Sequence, residues 1–283
     1  MRQLVITGAS GYLGRELARQ AVEVGWAVVG LFRSAPGDVV GVEWRRADIR
    51  ERDDIATMLA QTRPDVVIHA ASSDHDWATT ADGAAHVAVA AANLGARLIH
   101  VSSDAIFSGR RAPYDEAAVP DPVTRYGAAK AAAETAARAI APDAVIARTS
   151  LILGDGQSKH ERHVRDLVAG RVSGALFTDE LRCPVHLGDL ASALLELAGV
   201  AHGFSGVVNL AGAEALSRHH LGQLIARRFG IDPEAVPAGL SADLGVPRPT
   251  DTRLDTALAA GLLDAKLRGA SDYLSEELPA GPR

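Results

Sequence analysis

One cysteine, Cys183, stands in a chain of 283 residues. No intrachain disulfide can form and a cysteine-rich zinc site is excluded, which agrees with a reducing compartment. No apolar run approaches the roughly 20 residues that cross a bilayer, so a membrane-spanning helix is excluded too. The formal net charge of −6 leaves no broad positive field to attract phosphate backbones, which argues against nucleic acid as a partner. The first strand starts by Leu4 with no basic n-region or apolar h-region ahead of it, so no secretory signal is expected and the protein is expected in the cytoplasm. Internal repeats and low-complexity tracts are missing, apart from an alanine bias that suits helices. His160-Glu161-Arg162-His163 sets the second histidine too early for His-Glu-x-x-His and brings no third ligand, so no metal site is expected.

What is present is an ordinary globular balance, 47% hydrophobic and 23% charged, and a regular alternation of patterns. Gln3 to Thr7 reads as a strand, Leu13 to Val24 as a helix and Ala27 to Phe32 as a strand. Ile55 to Gln61 (helix), Asp65 to Ala70 (strand), Ala84 to Asn93 (helix), Arg97 to Ser102 (strand), Arg125 to Ile140 (helix) and Ala144 to Thr149 (strand) follow. The spacing predicts an α/β protein, a Rossmann-like doubly wound parallel sheet with helices on both faces. After Ser150 the rhythm breaks. Gly154 to Lys159 reads as a loop, His160 to Ala169 as a basic helix, and Leu187 to Ala198, Gly206 to Ala211 and His220 to Phe229 as helix, strand and helix. The division expected is a dinucleotide-binding domain over 1–150 and a smaller substrate-binding region over 151–283, parts of which pack back on the first.

Between the first strand and helix lies Gly8-Ala9-Ser10-Gly11-Tyr12-Leu13-Gly14. Glycines there allow a tight turn and close backbone approach to a pyrophosphate, and the helix behind them offers free N–H groups and the positive end of its dipole. A sharp turn without a ligand is the plain alternative. At the end of the second strand, where an NAD-selective site places an acid on the ribose hydroxyls, the chain reads Leu31-Phe32-Arg33-Ser34. Arg33 suits a 2′-phosphate and favours NADP(H) over NAD(H); a solvated arginine is its bland counterpart. Asp48 either hydrogen-bonds an adenine amino group or caps the following helix. With Asp48, the cofactor contacts expected are Gly8, Ser10, Gly11, Tyr12, Leu13, Gly14, Arg33, Ile49, Ala70 and Ala71.

Tyr126 and Lys130 are four apart in an expected helix and share a face. An ammonium beside a phenol favours phenolate and lowers its pKa, which lets the tyrosine exchange a proton with a carbonyl or alkoxide, while the lysine can also hold a ribose. Ser103, at the carboxyl edge of its strand, can donate to the reacting oxygen. Tyr-x-x-x-Lys alone is a common surface pair, so position and order must carry the reading. Lys159, Arg162, Arg165 and Arg182 offer either a cationic wall for a substrate diphosphate or a solvated face. His69 and His100 sit in apolar strands and read as hydrogen-bonded core histidines, and Cys183 as a packing residue.

The ordered set of Gly8 to Gly14, Asp65-Val66-Val67-Ile68-His69-Ala70-Ala71, His100-Val101-Ser102-Ser103-Asp104, Tyr126-Gly127-x-x-Lys130 and Arg148-Thr149-Ser150 resembles the extended short-chain dehydrogenases/reductases. Leu98 to Gly109, then Pro113-Tyr114-x-Glu116 and Pro120-x-Pro122, resemble the dTDP-4-dehydrorhamnose reductase branch. Pro184, Asp189-Leu190-Ala191 and Arg248-Pro249-x-Asp251-Thr252-x-Leu254-Asp255 echo it more faintly. The resemblance implies a catalytic triad of Ser103, Tyr126 and Lys130, with serine where the branch often has threonine. It also implies substrate contacts at Ser103, Asp104, Arg182 and Arg248. The expected function is NADPH-dependent reduction of the ketone of a nucleotide-linked 4-keto-6-deoxy sugar, and the alanine-rich helices suit either the interface of a homodimer or the core of a monomer. The alternatives are a reductase or epimerase with another substrate and a non-catalytic NADP-binding regulatory subunit, a type the branch also contains. The segment Ser72-Ser73-Asp74-His75-Asp76-Trp77 departs from the branch's Tyr-Thr-x-Val-Asp pattern, and Thr80 stands where an asparagine is common.

Overall fold

A computed structural model describes residues 2–199 and 203–276. The central sheet is built from β1 (Gln3–Thr7), β2 (Ala27–Phe32), β3 (Val42–Arg46), β4 (Val66–His69), β5 (Arg97–Ser103) and β6 (Val145–Thr149). Four helices link these strands: α1 (Tyr12–Glu23), α2 (Arg52–Thr62), α3 (Gly83–Leu94) and α4 (Arg125–Ile140). Residues of β1 alternate between two apolar layers. Leu4 and Ile6 enter the layer shared with α1, and Val5 enters the layer shared with α2 and α3. That period of two, with both faces covered, is why the strands read as continuous apolar runs.

Past Thr149 the chain makes short strands, β7 (Ile152–Leu153), β8 (Leu176–Phe177), β9 (Leu181–Arg182) and β10 (Val185–His186), with α5 (Lys159–Val168) after β7. Ser158 and Glu161 close α5's N-terminus as a capping box, each satisfying a backbone donor that the first turn leaves free. α6 (Leu187–Ala198) then packs beside α1, and β11 (Gly206–Leu210) pairs parallel to β6. The sheet therefore has seven strands in the order β11-β6-β5-β4-β1-β2-β3. The remaining elements are β12 (Leu216–Ser217), α7 (Arg218–Arg228), β13 (Ala238–Gly239), α8 (Ala257–Leu262) and α9 (Ala270–Ser275). Leu153, Val164, Leu167, Leu176, Leu221, Ile225 and Tyr273 bury a third apolar cluster, apart from the two that flank the sheet. No helix among the described residues is long and apolar enough to cross a membrane.

α4 is fixed to the sheet by a buried ion pair. Arg148 of β6 and Glu134 of α4 meet at 2.5 Å with side chains 1% and 2% exposed. Arg148 also donates to the Glu116 carbonyl at 3.2 Å, Ser102 donates to Glu134 at 3.1 Å, and the guanidinium lies 5.2 Å from the Phe107 ring centre. Breaking such a pair from one side strands a charge in the core. Glu134→Ala should lower the unfolding free energy by about 3–5 kcal/mol, read as a shift in the urea midpoint; a change within experimental error would contradict the role given to the pair.

Candidate active site

The strand order reverses between β1 and β4, and the crevice at their carboxyl ends opens into a cleft of about 1130 Å³, where ligands bind in open α/β sheets. Gly8 has φ +68°, and a Cβ there would stand 2.8 Å from the Ala71 backbone. At Gly14 a Cβ would stand 2.1 Å from the Gly8 carbonyl oxygen. The turn is thus pressed against β4 on one side and α1 on the other. The first bond of α1 runs from Arg15 N–H to the Gly11 carbonyl at 3.0 Å, so the N–H groups of Tyr12, Leu13 and Gly14 precede the intrahelical ladder and are available to an anion. A backbone cradle without a side chain at Gly11 fits a dinucleotide pyrophosphate.

All the cofactor and substrate positions expected from the sequence line this cleft except Gly14, which serves the packing of the turn instead. Arg33 is exposed at the mouth, with no hydrogen bond or ion pair from its side chain among the described residues. Asp48 does not cap α2, whose N-cap is Glu51; its carboxylate is held by Arg50 at 2.6 Å. Ile49 is fixed through its carbonyl, 3.0 Å from His86 Nδ1.

Ser103, Tyr126 and Lys130 converge on the same cleft. Gly127 permits this. A Cβ there would lie 2.0 Å from the Ala105 carbonyl oxygen, so only glycine lets the first turn of α4 sit against the Asp104–Ile106 turn that follows Ser103. Thr124 caps that turn of α4 by accepting from Gly127 N–H at 3.1 Å. The Ser72 and Ser103 hydroxyls share the cleft with the Tyr126 phenol and act as donors that favour its ionised form. Burial, with the Asp74 and Asp104 carboxylates, pushes the phenol up to about 12. This reverses the expected lowering by lysine, because desolvation of the phenolate outweighs the nearby donors. Lys130 donates to the Val101 carbonyl at 2.6 Å, and burial pushes its ammonium down to about 8 against the attraction of Glu134.

His69 and His100 stack 5.3 Å apart beside Lys130 and are held neutral, chiefly by burial and then by the lysine charge. His69 Nδ1 is 2.7 Å from the Thr7 hydroxyl, but the Nε2 atoms of both rings find no partner among the described residues. The expectation of fully hydrogen-bonded core histidines is met on one side of His69 only. Cys183 is buried, and its thiol is pushed up to about 11 by that burial, as suits a packing residue.

The basic residues behave differently from one another. Arg182 is 7% exposed, and its guanidinium is spent on the Leu181, Pro249 and Thr250 carbonyls and on Glu180. It builds the cleft wall that Arg248 shares through the same Glu180. Arg165 turns out of the cleft, 4.6 Å from the Phe229 ring centre, and donates to the Gly156 carbonyl. Lys159 and Arg162 do line it. Arg218, which sequence reasoning missed, faces the same end of the cleft, and burial and the Arg182 charge push its guanidinium down to about 10. Nothing in the sequence marks it, because it opens a helix about 70 residues beyond β6. Ser72 and Asp74 were missed as well, although their place just past β4 was a usable signal. Among the described residues no group of three His, Cys, Asp or Glu could hold a metal ion.

Lys130 makes a testable link to pH. Its unfolded value is 10.5 and its folded value about 8, so between those limits the unfolded chain binds more protons and stability rises with pH. The penalty for burying the cation is present below pH 8 and is relieved toward pH 10.5. Relative to Lys130→Met, wild type should gain on the order of 3 kcal/mol across that window, measured by urea unfolding at pH 7, 9 and 10.5. Parallel pH profiles would sink this account.

The chain is similar to known proteins in sequence and in fold. A dTDP-4-dehydrorhamnose reductase of Mycolicibacterium smegmatis is 32% identical over 287 residues, spanning 99% of this chain and 86% of that protein. A solved structure from Sulfolobus tokodaii, described as a hypothetical dTDP-4-dehydrorhamnose reductase, superposes with a TM-score of 0.79 at 28% identity, covering 95% of this chain and 97% of that one. A Bacillus anthracis dTDP-4-dehydrorhamnose reductase solved with NADP has the same fold, with a TM-score of 0.83 at 22% identity and coverage of 97% and 98%. The family model described as the RmlD substrate binding domain matches residues 1–276. With a curated relative of that similarity over nearly its whole length, the chain belongs to the RmlD substrate-binding-domain family of extended short-chain dehydrogenases/reductases.

Proposed function

We propose that this protein reduces the ketone of a nucleotide-linked 4-keto-6-deoxy sugar with NADPH, as its dTDP-4-dehydrorhamnose reductase relatives are named for doing. The observation that carries this reading is the meeting of Ser103, Tyr126 and Lys130 in one cleft with the Gly8 to Gly14 turn. When bound, the nicotinamide supplies the hydride that reaches the carbonyl carbon. Tyr126 hands its phenolic proton to the carbonyl oxygen as negative charge develops there. A phenol raised to about 12 is protonated at neutral pH, which is the state reduction requires. It is still a stronger acid than the alcohol being formed, so the transfer runs downhill. Ser103, whose hydroxyl donates to Asp104 at 3.2 Å, turns that single proton to the same oxygen when substrate is bound and orients it.

Lys130, one helical turn beyond Tyr126, offers the remaining hydrogens of its ammonium to the cofactor ribose. The free N–H groups at the start of α1 hold the pyrophosphate. Arg33, exposed just past the end of β2, meets the 2′-phosphate and sets the preference for NADP(H). At the far end, Lys159, Arg162, Arg218 and Arg248 present positive charge to the substrate's diphosphate.

Tyr126→Phe should lower turnover by about 10²- to 10⁴-fold while NADPH still binds, measured as NADPH consumption with a panel of nucleotide-linked keto sugars. Wild type that binds NADPH and turns over none of them would overturn the catalytic reading. Arg33→Ala should lower the preference for NADPH over NADH by about ten- to hundred-fold, the value of one charge-assisted contact; an unchanged ratio would remove Arg33 from the 2′-phosphate.

A further inference from the structure

The segment from Ser72 to Trp77 leaves the carboxyl end of β4 and is held at both ends. Thr80 donates to the Ser73 carbonyl at 2.8 Å and accepts from Ser73 N–H at 2.9 Å. Asp76 accepts from the Thr79 hydroxyl at 2.5 Å and from Ala78 N–H at 3.1 Å. So stapled, the segment brings the Ser72 hydroxyl to Tyr126 and presents Asp74 to the cleft. Across the cleft, at the first residue of α5, Lys159 Nζ meets the Asp74 carboxylate at 2.6 Å. This ion pair joins the β4 side of the site to the region that carries the substrate-facing cations.

We propose that Asp74 is a positioning residue acting through Tyr126, and that an anionic group of the substrate releases it by taking Lys159. The inference rests on the reductase reading of the site. A carboxylate facing a phenol opposes phenolate formation, and a cation on that carboxylate weakens the opposition. The charged groups around Tyr126 are Asp74 from the segment after β4, Asp104 from the turn after β5, and Lys130 from α4 itself.

Asp104 is a fixed background. It is buried, it accepts from Ser103, Ser150 and Thr252, and it stands 3.9 Å from Arg182. Lys130 is committed to the Val101 carbonyl. Asp74 is the adjustable member. The side chains of Lys159 and Asp74 are 62% and 45% exposed, so their pairing is weak and open to exchange with another anion. Arg162 and Arg218 line the same end of the cleft and draw that anion toward Lys159, while His160 beside them is kept neutral by burial and the neighbouring cations. A substrate diphosphate that captures Lys159 leaves Asp74 uncompensated, and the phenol is then held protonated at the moment it must donate.

The test follows the phenol itself. Tyrosine labelled with ¹³C at Cζ is titrated by NMR, and Tyr126→Phe identifies its signal. Asp74→Asn should lower the Tyr126 midpoint by about half a pH unit or more, Lys159→Met should raise it, and the double variant should follow Asp74→Asn. Inorganic pyrophosphate should raise the midpoint more in wild type than in Asp74→Asn. The alkaline limb of kcat/KM should move in the same directions, which a purely structural role for Asp74 would not produce. An unchanged midpoint in Asp74→Asn overturns the role of Asp74. Equal responses of wild type and Asp74→Asn to pyrophosphate overturn the exchange at Lys159. Neither NMR result needs turnover, so an enzyme inactive on every keto sugar would sink the proposed function and leave this inference to be judged on its own.

Discussion

The Arg148–Glu134 ion pair is the constraint on which the geometry of the site depends. Tyr126, Lys130 and Glu134 stand four residues apart along α4, one above another on a single face. Locking Glu134 to β6 through Arg148, and to β5 through Ser102, therefore sets both the rotation and the axial position of the two residues below it. A buried pair of this kind adds little net stability compared with a well-packed apolar contact. Its value here is register: a helix free to turn would carry Tyr126 away from Ser103. Gly127 completes the arrangement from the other end of α4 by letting the first turn rest on the Ala105 carbonyl.

The same economy governs the cofactor side. Close approach between Gly8, Gly14 and Ala71 puts the helix start, the end of β4 and the mouth of the cleft within one small volume. The exposed N–H groups of α1 and the carboxyl ends of β4 and β5 then face one another across it. Burial sets the protonation of the groups in between: the phenol stays neutral, the lysine loses part of its hold on its proton, and the two stacked histidines stay uncharged.

Much of this was legible in the sequence because it is local. The Arg125–Ile140 and Leu187–Ala198 helices carry bounds read from periodicity alone, and the strands of the sheet start and end within a residue or two of their apolar runs, except β3, whose polar, partly exposed edge run Val42–Arg46 gave no such signal. Ser103, Tyr126 and Lys130 could be found because each lies beside a strand end or along one helical face. What the sequence hid is what depends on burial and on distant partners. The direction of the Tyr126 shift follows from desolvation that no spacing reveals. Arg182 looked like a ligand-facing cation, yet it is consumed by carbonyls about 67 residues further along the chain. Arg218 and the Asp74–Lys159 pair arise from the folding of the region after residue 150 back over the cleft, and no local pattern encodes that.

That return has a consequence for how the protein is made. β6 is the last strand of the expected dinucleotide-binding half, but it is an inner strand of the sheet, because β11 closes over its outer side. Until Gly206–Leu210 has been synthesised, an apolar strand buried on both faces in the finished molecule presents a row of unpaired backbone groups to other chains. The first 150 residues without β11 would therefore carry an open seam along β6. Long-range parallel pairing of this kind forms slowly, and a nascent chain halted before β11 would be a species prone to self-association.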